Sequence, residues 1–206
     1  RAGPPRGGHD ARMDLLNFLR IQVRANRLAN HRLHGAMAGL SDADYRAPRT
    51  SFFPSLAATL EHILWVDGYY LDCIEGLPDP RGRNLARAMP ATLPALVAEQ
   101  AASDQRFIAL IDATTDADLQ RIVEMPRQHH VQREPLAHVV AHLVNHQVHH
   151  RGQVHAMLSG TAVVPPQLDE FLMSSEGHLR QADLAALGWT EAQLFPRPPR
   201  DSRYGC

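Results

Sequence analysis

Apolar residues recur at three- and four-residue steps from about Ala11 to Leu40, where Leu15, Leu16, Leu19, Val23, Leu28, Leu33 and Met37 form a stripe with Arg and Asn between them. That period is helical and predicts the first long helix. Ser41, Asp42, Asp44, Pro48 and Pro54 then spell an ordered, Pro-punctuated loop. A second helix is expected from Ser55 to Glu75, with Ser55 able to cap its start and Gly76 and Pro78 ending it. Gly76 to Asn84 is a loop in this reading. Thr92 to Ala113 is the third helix, with Pro94 in its first turn and Leu96, Val97, Phe107, Ile108 and Ile111 on its apolar side. Residues 114–131 are mixed, and the Ile122-Val123 pair suits a short extended piece. The fourth helix runs from Glu134 to Leu158, entered through Pro135 and closed before Gly160 and Pro165-Pro166. Leu168 to Ser174 and Gln181 to Phe195 read as short helices, followed by a Pro/Arg-rich tail. Four long helices without convincing strand partners predict an all-α bundle with short extra C-terminal helices.

Composition narrows the picture. The chain has 206 residues, 44% hydrophobic and 21% charged, which is globular and long enough for one domain with decorated ends. The divisions expected are a flexible Gly/Pro-rich N-terminal arm over residues 1–10, the helical bundle over 11–176 and a C-terminal extension over 177–206. A net charge of −1 argues against sequence-independent binding of nucleic acid, which depends on many cations facing phosphates. All 21 basic residues are Arg, so Schiff-base chemistry and a P-loop lysine are excluded. Cys73 and Cys206 make no disulfide framework, and a reducing, cytoplasmic setting fits them, with Cys73 as small core filler and Cys206 as a mobile end. Apolar runs are only a few residues long, against the roughly 20 needed to span a bilayer, so no membrane partner is expected.

Chemistry is concentrated in histidine. Of 13 in the chain, those at 138, 142, 146, 149, 150 and 155 fall in the fourth helix. At about 100° per residue, His146 and His150 face together among Val139, Leu143, Val154 and Met157, whereas His142 and His149 lie at the edge of that face. Two imidazoles at i and i+4 can reach one cation, or they can be core histidines hydrogen-bonded elsewhere; position alone leaves both open. His62, the only histidine of the second helix, points inward beside Val66, Tyr69, Tyr70 and Cys73 and can complete a set of three with His146 and His150. Three neutral nitrogens leave a coordination position for water or substrate. Gln147 stands where the zinc-protease motif H-E-x-x-H has its general base, so that chemistry is rejected.

Gln153, on the same side of the wheel, is a candidate to hydrogen-bond a metal-bound water. Asp67 is a carboxylate on the apolar side of the second helix, explained either by a salt bridge to an arginine or by a part in proton transfer behind the metal. Arg151 turns away from the pair and is expected in an ion pair. Trp65, Tyr69 and Tyr70 at helical spacing are packing residues in this reading.

Residues 53–67, FPSLAATLEHILWVD, and 145–158, NHQVHHRGQVHAML, resemble the two signature segments of the DinB/YfiT-like family of metal-dependent proteins. The likeness spans roughly residues 13–172, including RANRLAN at 24–30 and PPQLD at 165–169, although Arg24 stands where many relatives have Trp. It implies an up-down-down-up four-helix bundle, commonly a homodimer, with a divalent metal ion, nickel or zinc, on His62, His146 and His150. Some relatives are thiol S-transferases or thiol-dependent isomerases that use low-molecular-weight thiols. The expected function is therefore a metal-dependent enzyme, with thiol transfer to a small electrophile first, metal-dependent hydrolysis second and a non-catalytic, stress-related metal-binding dimer third.

Overall fold

The computed structural model describes residues 14–196; the N-terminal arm and Cys206 lie outside the described residues. Helix α1 spans Leu15–Met37, and Asp14 caps it by accepting from the Asn17 N–H at 2.6 Å. The expected loop that follows contains a one-turn helix, α2, Asp42–Arg46, capped by Ser41. Helix α3, Leu56–Glu75, starts on Ser55, which accepts from the Ala58 N–H, and stops at Gly76, whose φ of 70° only glycine adopts without strain. The segment expected as plain loop after it carries α4, Pro80–Leu85, nucleated by Asp79 accepting from Gly82 N–H. Helix α5 covers Leu93–Asp112 with Pro94 in its first turn.

Ile122-Val123 grows into a strand, β1 (Ile122–Pro126), paired antiparallel with β2 (Val131–Pro135). Glu134 and Pro135 are consumed by that ladder, opposite Val123 and Ile122, so the last long helix, α6, begins at Leu136 and ends at Leu158. Pro135 is therefore the residue before the helix rather than part of its first turn. No helix forms at Leu168 to Ser174; this stretch runs irregularly into a 3₁₀ turn, Ser174–Glu176. The terminal segment folds as α7, Gly177–Leu187, and α8, Glu191–Leu194, separated at Gly188 with φ 67°. Both dock on α1, where Leu184 and Leu194 bury against Leu28 and Ala29 and Arg32 pairs with Asp183 at 2.8 Å.

Each of α1 and α3 packs against both α5 and α6. Arg24 meets Asp112 while Asn30 meets Asp104, so α1 and α5 are antiparallel. Gln100 meets Asp67 and Arg106 meets Asp72, so α3 and α5 are parallel. His62 meets His146 and Tyr70 meets His142, so α6 runs against α3. The bundle has two apolar clusters. One gathers Leu16, Val23, Ile74, Phe107, Val140 and Leu143; the other gathers Leu33, Met37, Leu60, Leu96, Val154 and Leu158. Between them in every long helix comes a polar stretch, Asn26 and Asn30, Asp67, Gln100 and Asp104, Gln147 and Arg151, all buried. Among the described residues no helix is long and apolar enough to cross a membrane.

Candidate metal centre

His62 lies in the second turn of α3, and His146 and His150 lie one turn apart on α6, at the level of the buried polar layer. Antiparallel packing of the two helices brings the three rings together. One nitrogen from each lies within 4.8 Å of the other two. The Nε2 atoms of His62 and His146 are 3.0 Å apart, and the ring centroids are 5.0, 4.7 and 4.4 Å from one another. Two such nitrogens at that distance share one proton or direct both lone pairs at a common cation.

Burial, reinforced by the neighbouring imidazoles, pushes His62 down to about 4 and His146 to about 3; burial also lowers His150. The rings are therefore neutral near pH 7, the form that donates a lone pair. His150 Nδ1 donates to Gln153 Oε1 at 2.8 Å, which leaves its Nε2 free to ligate. The Gln153 amide in turn donates to His149 Nε2 at 3.1 Å. Gln153 thus orients the His150 ring, a step further back than the water contact expected of it. The donor set fits a divalent transition-metal ion, since it offers three neutral borderline bases and, among the described residues, no fourth protein group.

Phe53, which sequence reasoning did not single out, covers the cluster, with its ring 4.3 Å from that of His62 and 5.6 Å from that of His150. The only trace of it in the sequence is an aromatic pair, Phe52-Phe53, within an otherwise polar connection. His142 stands exposed at the rim, stacked on Tyr70 at 5.0 Å and 6.3 Å from His146. Trp65 and Tyr69 tie α3 to α4 and β1 by donating to the carbonyls of Asn84 and Pro126. Cys73 is core filler, 4% exposed. Arg24 reaches α5, where it pairs with Asp112 at 2.7 Å, away from the histidines.

Among the described residues Asp67 does not make the salt bridge weighed for it. Its Oδ2 accepts from Gln100 Nε2 at 2.7 Å and from Gln147 Nε2, and its Oδ1 is buried without a partner among those residues. Gln147 follows His146 directly, so Asp67 stands behind the cluster rather than in it. Arg151 likewise has no carboxylate partner among the described residues; Nη1 donates to Asn26 Oδ1 at 2.6 Å and Asn30 Oδ1 at 2.8 Å. Burial raises Asp67 to about 8 and Asp104 to about 6, against 3.8 in the unfolded chain.

A proton on Asp67 is thus retained by the folded chain and released by the unfolded one between pH 4 and 8. Its contribution to stability is complete below pH 3.8 and is lost as pH rises through about 8. In the metal-free protein, unfolding free energy should fall between pH 5 and pH 8 more steeply than in Asp67→Asn, by up to about 1.4 kcal/mol per pH unit. Urea midpoints at the two pH values check this; parallel pH profiles for the two proteins would refute it.

Fold and cluster together define a mostly helical protein whose three converging imidazoles suit a metal ion. The sequence profile of the DinB superfamily matches residues 25–154, more than half of the chain, and the chain belongs to that superfamily. The matched region contains His62, His146 and His150 and stops before α7 and α8. Comparison with curated proteins finds no significant match.

Proposed function

We propose that the protein is a divalent-metal-dependent enzyme that transfers a low-molecular-weight thiol to a small electrophile, with nickel or zinc held by His62, His146 and His150. The observation that carries this reading is the convergence of three neutral nitrogens within 4.8 Å of one another, with no fourth protein ligand among the described residues to close the set. A divalent cation, when bound, favours the thiolate over the thiol and so supplies a nucleophile at neutral pH. No cysteine of the described residues competes for that part, because Cys73 is buried and burial raises its thiol pKa.

The chain's own residues do the rest. Gln153 fixes the tautomer of His150, and Phe53 shields the faces of His62 and His150 from water. His142, exposed at the rim, is placed to take the proton of an arriving thiol. The sulfur then bonds to the electrophilic carbon, and the electron pair leaves either with a departing group or onto an adjacent atom, which takes up that proton. As a homodimer the protein would present two such centres.

Metal analysis of protein purified without a metal-affinity step should find about one divalent ion per chain. In the cobalt-substituted protein, glutathione or cysteine should shift the d-d absorption bands. A metal-loaded protein whose spectrum ignores every thiol, but which hydrolyses activated esters in proportion to its metal content, would overturn thiol transfer in favour of hydrolysis.

A further inference from the structure

The C-terminal end of α1 and the N-terminal end of α5 lie side by side beneath α2, and between them is a cavity of about 600 Å³. Its walls include His34, Ala38, Leu40, Tyr45, Leu93 and Val97. The volume is within the range of roughly 300–1,000 Å³ usual for small-molecule sites. The cavity belongs to the α1–α5 seam, whereas His62, His146 and His150 join α3 to α6, and none of these three lines it.

Its walls are mainly carbon, with two polar groups lacking partners. His34 is 4% exposed, and among the described residues neither of its ring nitrogens is hydrogen-bonded. Nδ1 is sealed within the protein; Nε2 is not among the sealed atoms and, on a residue that lines the cavity, is the nitrogen left for a ligand. The Tyr45 hydroxyl, on a side chain 1% exposed, is also buried without a partner among the described residues. Packing usually satisfies such groups, so an unbonded imidazole in an apolar wall marks a place where a ligand supplies the missing hydrogen bond.

We infer that this cavity is a second binding site, for a small uncharged molecule of mainly apolar surface bearing a hydroxyl group that hydrogen-bonds His34 Nε2. A hydroxyl both donates and accepts, so it serves either tautomer of the ring. A carboxylate would meet Asp42, which also lines the cavity, and a cation would find that same carboxylate already paired with Arg46 at 3.2 Å. Burial and the nearby Arg27 and Arg151 keep the imidazole neutral, which again suits an uncharged partner. The inference is independent of the metal centre.

The test is calorimetric titration of the full chain with 2-naphthol, naphthalene and 2-naphthoate near neutral pH. The expected result is saturable binding of one 2-naphthol per chain, tighter than naphthalene, with 2-naphthoate weakest. Val97→Trp, which fills the cavity, should weaken 2-naphthol at least tenfold; Ala38→Trp does the same from an exposed position that does not burden the core. His34→Leu should reduce the preference for 2-naphthol over naphthalene by about three- to tenfold, the worth of one neutral hydrogen bond. The inference is overturned by absence of saturation, by unchanged affinity in both tryptophan variants, by an unchanged preference in His34→Leu, or by 2-naphthoate binding as tightly as 2-naphthol. Loss of binding in His62→Ala would also overturn it, by moving the ligand to the histidine cluster.

Discussion

Replacing His150 with alanine should take the protein from about one bound divalent ion per chain to essentially none after dialysis against a weak chelator. Three nitrogens converge on one point, and His150 is the most buried of the three, 6% exposed, with its ring held by Gln153. Removing a group that only orients a ligand costs about 10–100-fold in metal affinity, so removing the ligand itself should exceed 100-fold. Gln153→Leu is the graded comparison. It leaves all three imidazoles in place but frees the His150 ring to turn and to exchange its proton, and it should fall in the 10–100-fold interval. Metal content and competition titration with a chromogenic chelator measure both. Retention of a full equivalent by His150→Ala would remove the metal centre from this part of the molecule, whatever the protein turned out to do. An unchanged affinity in Gln153→Leu would restrict the loss to the ligand set and deny Gln153 its orienting part.

Arg151→Ala should be the most destabilising single change in the polar layer, lowering unfolding free energy by about 3–5 kcal/mol, the cost of two buried acceptors left without their charged donor together with the space vacated. The guanidinium is 6% exposed, and burial lowers it only to about 10, so it remains charged at neutral pH. Its loss orphans two buried amide oxygens, on Asn26 and Asn30, and leaves a void between the apolar clusters. For a chain of this size about 2–4 °C is lost per kcal/mol, which predicts a melting temperature roughly 10 °C lower. The comparison belongs in metal-free protein, because Arg151 is next in sequence to a proposed ligand and bound metal would add its own stabilisation. A loss under about 1 kcal/mol would show that water or rearrangement satisfies the asparagines, and the layer would then be ornament rather than structure.

That layer also marks how far sequence reasoning reaches. Asp67 stands out as a carboxylate on the apolar side of its helix and Arg151 as a charge turned away from the histidine pair, and each suggests an arginine–carboxylate ion pair. The structure assigns them other partners. Asn26 with Asn30, Gln100 with Asp104 and Gln147 with Arg151 are i, i+4 pairs that interrupt the apolar stripes of α1, α5 and α6 at one level. Each interruption alone looks like ordinary helix surface. Only the parallel and antiparallel sense of packing shows that the three pairs and Asp67 meet in one plane.

The chain's local chemistry was sufficient for the four long helices, because their caps, glycine stops and 3.6-residue periodicity act over a few residues. The same holds for the facing of His146 with His150, since i and i+4 are neighbours on any helix. Short elements were decided elsewhere: α2 and α4 are single turns nucleated by one cap, the 168–174 segment forms no helix, and Pro135 was drawn out of α6 by the ladder with β1. His62 is legible as the candidate third imidazole from its place on α3, but its meeting with His146, the cover that Phe53 gives and the hydrogen bonds of Arg151 depend on contacts between residues some 80 to 125 positions apart. Such contacts follow from how whole helices pack, and no local rule of spacing contains that information.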